Sequence, residues 1–141
     1  MAMFERTLFH VLRVILQTHT ARWAEQVPDM TKPQFAVLEA LDRGGELDQA
    51  ALSRASATSK ATLAEMLNRM ERRGLIARRA DPGDARQKRV HLTAAGATRL
   101  REVRPVADRV NDGFTATLSE AERETLLNLL AKLRRRAEET E

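Results

Sequence analysis

The sequence predicts a mainly α-helical fold that carries one small β-hairpin, and three observations predict it. The first is the stretch from Ser59 to Thr93, where Leu63, Met66, Leu67 and Met70 recur at i, i+3, i+4 and i+7 and then give way at Gly74. Two short runs follow, LIARRA and QKRVHLT, separated by Asp81-Pro82-Gly83-Asp84. In that turn Pro82 presets φ and Gly83 is expected to supply a positive one, which makes a hairpin with a basic tip. The second observation is charge. From Leu52 to Leu92 there are ten Lys or Arg against four acids, so this segment is +6 while the other fourteen bases and sixteen acids leave the remainder at −2. The third is a surplus of apolar residues on the helices predicted at both ends of the chain.

A helix followed at once by a basic hairpin is the plan of a winged helix-turn-helix, and the charge asymmetry puts the basic residues where a phosphate backbone would be met. The expected architecture is a winged helix-turn-helix flanked by N- and C-terminal dimerisation helices. Residues 1–30 form the N-terminal dimerisation helix and residues 31–92 the DNA-binding lobe, with the recognition helix at about 59–73 and the wing at about 75–92. Residues 93–141 supply the C-terminal dimerisation helices.

The elements follow in order. Residues 3 to 26 predict a long amphipathic helix with Phe4, Leu8, Val11 and Ile15 in one stripe and Phe9, Leu12 and Leu16 beside it. Pro28 ends it. Thr31-Lys32-Pro33-Gln34 matches a capping box for the next helix, whose buried stripe is Phe35, Leu38 and Leu41. Gly44-Gly45 closes that helix, and Asp48 caps a short one through Ala51, Leu52 and Ala55. A tight turn at Ala57-Thr58 leads to Ser59, the cap of the central helix, so the pair forms a helix-turn-helix. After the hairpin Thr93 starts a helix carrying Leu100, Val103, Ala107, Val110 and Phe114, which Pro105 is expected to kink or break near 101–104. Ser119-Glu120-Ala121-Glu122 opens the last helix. Its Leu126, Leu127, Leu129, Leu130 and Leu133 exceed what one edge helix buries alone, so the end helices are assigned to a homodimer that presents two basic units to a two-fold DNA site.

Length and composition narrow the classes. At 141 residues there is room for one domain with an extension for association. The absence of cysteine excludes disulfides, thiolate metal sites and thiol redox sensing. No run approaches the roughly 18 apolar residues of a membrane span, and the N-terminal apolar run is interrupted by His10 and Arg13 without a cleavage pattern. The chain is expected to be cytoplasmic. His10, His19 and His91 lack metal-ligand spacing, and there is no phosphate loop, nucleophile elbow or carboxylate pair, so neither an enzyme nor a cofactor or metal is expected.

Groove-facing residues come from the helical period. At about 100° per residue, the face opposite the apolar stripe is Ala61, Glu65, Asn68 and Arg72. Asn68 suits bidentate pairing with adenine, Glu65 acceptance from a cytosine amino group, and Ala61 contact with a thymine methyl. Ser59, Lys60 and Thr62 lie at the helix start, where backbone N–H groups attract phosphate. Arg86, just past the hairpin tip, suits a narrow minor groove. Arg78, Arg79, Lys88 and Arg89 are expected phosphate contacts. A solvated helix face and a charged, soluble hairpin are the plainer readings of the same residues. Asp84 reads as a turn former and, compatibly, as the carboxylate that orients Arg86 or an Arg of the neighbouring helix.

These residues resemble the multiple antibiotic resistance regulator (MarR) family. The run from Leu52 to Leu75 looks like its helix-turn-helix, and Asp84-Ala85-Arg86 with Leu92-Thr93 and Gly96 matches its wing pattern D-x-R-x(5)-L-T-x-x-G. Ser59-Lys60, Thr62, Glu71 and Gly74-Leu75-Ile76 are correctly placed upstream, and the helix order is shared over nearly the whole chain. The resemblance implies a homodimeric winged-helix transcription regulator, usually a repressor, often released from DNA by a small aromatic or phenolic ligand. It also implies a DNA-contacting role for Arg86 and excludes the cysteine-based peroxide sensing of some relatives. Two departures stand out. Ser56, Ala57 and Thr58 replace the usual apolar-Gly-apolar turn, and Glu65 stands where many members carry Arg.

In a dimer of this type a pocket would be lined by the first, second and fifth helices. Arg13, His19, Trp23 and Phe35 are the residues suited to hold an aromatic carboxylate there, by stacking and a charge-assisted hydrogen bond. Trp23 and Phe35 have an equally simple reading as core. Two other functions remain open from sequence: a non-specific architectural DNA-binding protein, and a winged-helix module for protein contacts.

Overall fold

A computed structural model describes residues 7–139. The chain forms six helices with a two-stranded hairpin between the fourth and fifth: α1 (Leu8–Gln26), α2 (Lys32–Gly44), α3 (Gln49–Ser56), α4 (Lys60–Arg72), β1 (Ile76–Asp81), β2 (Asp84–Leu92), α5 (Ala94–Thr115) and α6 (Glu120–Glu139). Phe4 and the expected start of the first helix at residue 3 lie outside the described residues.

Helix starts are set by side-chain caps. Thr31 and Gln34 form a reciprocal capping box on α2, Asp48 accepts from the Ala51 N–H, and Ser59 accepts from the Thr62 N–H. Ser119 and Glu122 cap α6 in the same reciprocal way, and the two hydrogen bonds hold the Glu122 carboxyl below its ordinary range. Helix α4 ends where Gly74 takes φ +75°, a left-handed value open to glycine at no steric cost. Between α3 and α4 the same region is occupied by Ala57, at φ 52° and ψ 45°, where a side chain is strained.

One core joins every element but α6 among the described residues. Trp23, Val37, Leu38, Leu41, Leu52, Leu63, Leu67, Met70, Ile76, Val90, Leu100, Val103 and Ala107 are all buried in it. In α3 the inward position beside Leu52 is Ser56, whose hydroxyl donates to the Leu52 carbonyl at 2.7 Å; Ala55, expected in the stripe, is exposed. Helix α5 runs unbroken through Pro105. The predicted break does not occur because Leu100 and Val103 before the proline and Ala107 and Val110 after it all pack inward, which outweighs one missing backbone hydrogen bond.

The hairpin is antiparallel, with Ile76 opposite Leu92 and Arg79 opposite Arg89. Its turn departs from expectation at Gly83, whose φ is not positive. The turn is held by side chains instead: Asp81 Oδ1 accepts from the Gly83 N–H at 2.7 Å and Asp84 Oδ1 from the Arg86 N–H at 3.0 Å. A third short strand segment, not anticipated from sequence, is supplied by Leu47, which exchanges two backbone hydrogen bonds with Val90.

Where the wing meets α5, four residues interlock. Thr93 donates its hydroxyl to the Gly74 carbonyl at 2.5 Å and accepts from the Gly96 N–H at 3.0 Å, while its own N–H donates to the Leu75 carbonyl. A Cβ at Gly96 would stand 2.0 Å from the Leu75 carbonyl oxygen, so only glycine fits that contact.

Candidate nucleic-acid interface

Helix α4 turns the predicted face outward. Leu63, Met66, Leu67 and Met70 are buried, whereas Ala61, Glu65, Asn68 and Arg72 are exposed, as are Ser59, Lys60 and Thr62 at its start. The wing closes a cleft of about 600 Å³ beside this face, lined by Asp48, Gln49, Ala50, Lys60, Leu63, Asn68, Arg78, Arg86 and Lys88. Arg86 stands at its rim with a side chain 94% exposed, 3.5 Å from Asp84. Asp84 therefore serves both as turn former and as the carboxylate beside Arg86.

The other three arginines of the wing are tied to carboxylates, which the sequence did not disclose. Arg78 forks onto Glu71 through two hydrogen bonds of 3.2 Å and donates to Asn68 Oδ1 at 2.5 Å. Arg79 makes a fork of 2.5 Å contacts to Glu46, and Arg89 reaches Asp81 at 3.0 Å. Arg79 and Arg89 face each other across the strands, so the two carboxylates offset a repulsive cross-strand pair. The Arg79 guanidinium holds the Glu46 carboxyl below its ordinary range, and Arg78 does the same to Glu71. Of the four wing residues assigned to phosphate, Lys88 alone makes no such ion pair among the described residues: it shares a strand face with Arg78, which already holds Glu71, while Arg79 and Arg89 on the other face hold Glu46 and Asp81.

A second assembly of functional interest lies behind the lobe. The Trp23 ring packs 5.3 Å from Phe35, and its N–H donates to the Met30 carbonyl at 2.7 Å. His19 lies 6.5 Å from Trp23 and 5.2 Å from Phe114, whose ring is covered by Arg22 at 4.5 Å. Lys32 Nζ is 3.1 Å from His19 Nδ1, and His19 Nε2 is 2.8 Å from Asn111 Oδ1. A charged lysine only donates, so Nδ1 accepts and the ring proton sits on Nε2, directed to Asn111. Burial pushes the Lys32 ammonium below its ordinary range. His19, Trp23 and Phe35 are thus brought together, with a space of about 370 Å³ adjoining Trp23, Met30 and Lys32. Arg13 is exposed farther along α1 and does not join them. Lys32, Asn111 and Phe114 were missed because they are 13 to 95 residues from His19 and only packing unites them.

Two ion-pair junctions connect this region to the lobe. Arg104 on α5 binds Glu39 at 2.8 Å and Asp42 at 2.5 Å on α2, and these two acids raise its pKa. Asp29 is shared by Arg99 at 2.6 Å and Arg73 at 3.5 Å, and Arg99 is the principal cause of its lowered pKa. Among the described residues no cluster of metal-ligating side chains occurs, and no helix is long and apolar enough to cross a membrane.

The comparison with known proteins agrees with this geometry. A model of the MarR family matches residues 29–87, from Asp29 through most of the wing. The transcriptional regulator HosA of Escherichia coli O111:H- is 46% identical over 125 residues, covering 89% of this chain and 93% of HosA. The solved structure of Bordetella bronchiseptica BpsR, described for regulation of its DNA binding by 6-hydroxynicotinic acid, superposes with a TM-score of 0.89 at 31% identity, over 95% of this chain and 97% of that one. The transcriptional repressor CouR, solved on a 23-mer DNA duplex, superposes with a TM-score of 0.85 at 27% identity, over 95% and 98% of the two chains. The exposed recognition face, the basic wing and these likenesses lead to one conclusion: the chain belongs to the MarR family of DNA-binding transcription regulators, not to the enzymes.

Proposed function

We propose that the chain is a homodimeric repressor that reads a pseudo-palindromic operator and leaves it when a small aromatic acid binds between α1, α2 and α5. The carrying observation is the α4 face: Ala61, Glu65, Asn68 and Arg72 project from a helix whose opposite face is fully packed, beside a wing that extends Arg86 into solvent. A recognition helix held this way enters the major groove while the wing reaches the adjacent backbone or minor groove. Lys60, Lys88 and Arg72 supply phosphate contacts, and the ion-paired Arg79 and Arg89 stiffen the wing.

Dimerisation is supported by uncovered apolar surface. Leu8, Phe9, Val11, Val14, Ile15 and Leu16 on α1, and Leu126, Leu127, Leu129 and Leu133 on α6, are exposed in the single chain. A surface of this extent is what a partner subunit buries. The ligand reading is supported by the rings of His19, Trp23, Phe35 and Phe114 with the Lys32 cation among them, and by the regulation of BpsR's DNA binding by 6-hydroxynicotinic acid. An aromatic carboxylate stacks on such rings and pairs with such a cation. It would release DNA by favouring a lobe spacing that no longer fits two successive major grooves.

The test is fluorescence anisotropy on the DNA upstream of the chain's own gene and on a scrambled duplex, at two salt concentrations. The expected preference is about 10³-fold or more, reduced on adding an aromatic acid that binds. Equal affinity for both duplexes with a steep salt slope would identify an architectural binder instead. Arg86→Ala is expected to weaken binding to both duplexes and lower the salt slope by about one.

A further inference from the structure

Asn68 does not meet DNA as a free carboxamide. Its Oδ1 accepts a 2.5 Å hydrogen bond from Arg78 Nη2, and the same guanidinium is clamped by both oxygens of Glu71. The orientation of the amide follows from chemistry: a guanidinium has only donors, so the reverse flip would set N–H against N–H. Arg78 is itself only 14% exposed, which makes it a poor phosphate contact and a well-fixed support. Asn68 and Arg78 both line the cleft between α4 and the wing. Bidentate pairing with adenine requires the carboxamide to accept from N6–H and donate to N7 at once. Arg78 takes one of the two lone pairs of this oxygen and sets a positive charge beside it, which disfavours a second donor such as adenine N6–H and leaves the two N–H donors as the preferred contacts of Asn68.

We propose that Arg78 is a specificity-determining positioning residue, which biases Asn68 toward donating to major-groove acceptors, guanine N7 and O6 above all, over bidentate pairing with adenine. Glu71 completes the arrangement by fixing Arg78. Neither Arg78 nor Glu71 touches a base. The inference rests on the recognition-helix reading given above and adds the base class that one position of the operator carries.

Selection from a randomised duplex library, followed by sequencing, tests it on the full-length protein. The wild type is expected to enrich a two-fold motif in which one symmetric position, lost in Asn68→Ala, prefers guanine over adenine. Arg78→Met frees the carboxamide and is expected to move that position toward adenine by about tenfold, leaving the other positions as they were. Glu71→Gln keeps one acceptor for Arg78 and is expected to shift it less. Competition binding on duplexes differing only at that base pair gives the same quantity for variants of reduced stability. A uniform loss of affinity in Arg78→Met with an unchanged motif would overturn the proposal while leaving the regulator intact, as would adenine at that position in the wild type. Enrichment of no motif by the wild type would overturn both.

Discussion

In the lobe, Leu38, Leu52, Leu63 and Leu67 are at most 1% exposed, whereas Leu126, Leu127, Leu129 and Leu133 on α6 are 43 to 57% exposed. The two regions spend similar residues on different tasks. The lobe closes its core together with Trp23 of α1 and Leu100, Val103 and Ala107 of α5, and adds ion pairs at its edges such as Arg79 on Glu46. Helix α1 buries Trp23 alone within its own span and α6 buries nothing. Helix α6 runs for 20 residues with none buried among the described residues, which leaves its apolar stripe to the partner of the dimer proposed above.

Substitutions that separate the two regions sharpen this contrast. Leu67→Ala, at a fully buried position, is expected to cost about 2–5 kcal/mol in urea unfolding, at any protein concentration. Leu127→Glu is expected to leave the lobe's circular dichroism intact, halve the mass seen by sedimentation, and weaken operator binding on the order of 10²-fold. If both variants lowered stability equally in dilute solution, the contrast between the packed core and the uncovered α6 stripe would fail. A smaller change in the opposite direction is expected at the strained turn: Ala57→Gly relieves the left-handed backbone and should stabilise by about 1 kcal/mol, read as a higher urea midpoint.

The smallest effect is a pH dependence confined to the lobe and its junctions. Asp29, Glu46, Glu71 and Asp81 have pKa values lowered by folding, from ordinary values of 3.8 for Asp and 4.5 for Glu. For Asp81 the first cause is the Gly83 N–H; for the other three it is the arginine partner. Each therefore contributes stability that is present above its unfolded value and lost as pH falls through the lowered one. Because these groups are largely solvent-screened, thermal midpoints are expected to stay level from pH 7 to about 5 and decline modestly below about 4.

Much of the lobe was legible in the sequence because its signals are local. The period of Leu63, Met66, Leu67 and Met70, the caps at Thr31, Asp48, Ser59 and Thr93, and the stop at Gly74 all act within a few residues. What escaped was set by distant packing. Pro105 reads as a breaker locally but sits in a helix held on both sides of it. Gly83 reads as a positive-φ turn residue but is held by Asp81. The partners of Arg78 and Arg79 lie 7 and 33 residues away, with no periodicity to announce them. The aromatic set was half visible, since Trp23 and His19 share one helix whereas Lys32, Phe114 and Asn111 come from two others.

The interlock of Gly74, Leu75, Thr93 and Gly96 has a mechanical consequence. The end of the reading helix, the root of the hairpin and the first turn of α5 are bolted at a point where a carbonyl oxygen fills the space of a methyl group. Such a joint has no slack. Rotation of α5 would carry the end of α4 and the root of the hairpin with it, as a crank turns a wheel keyed to the same shaft, so in the dimer proposed above the angle between the two reading heads would follow the setting of the two α5 helices.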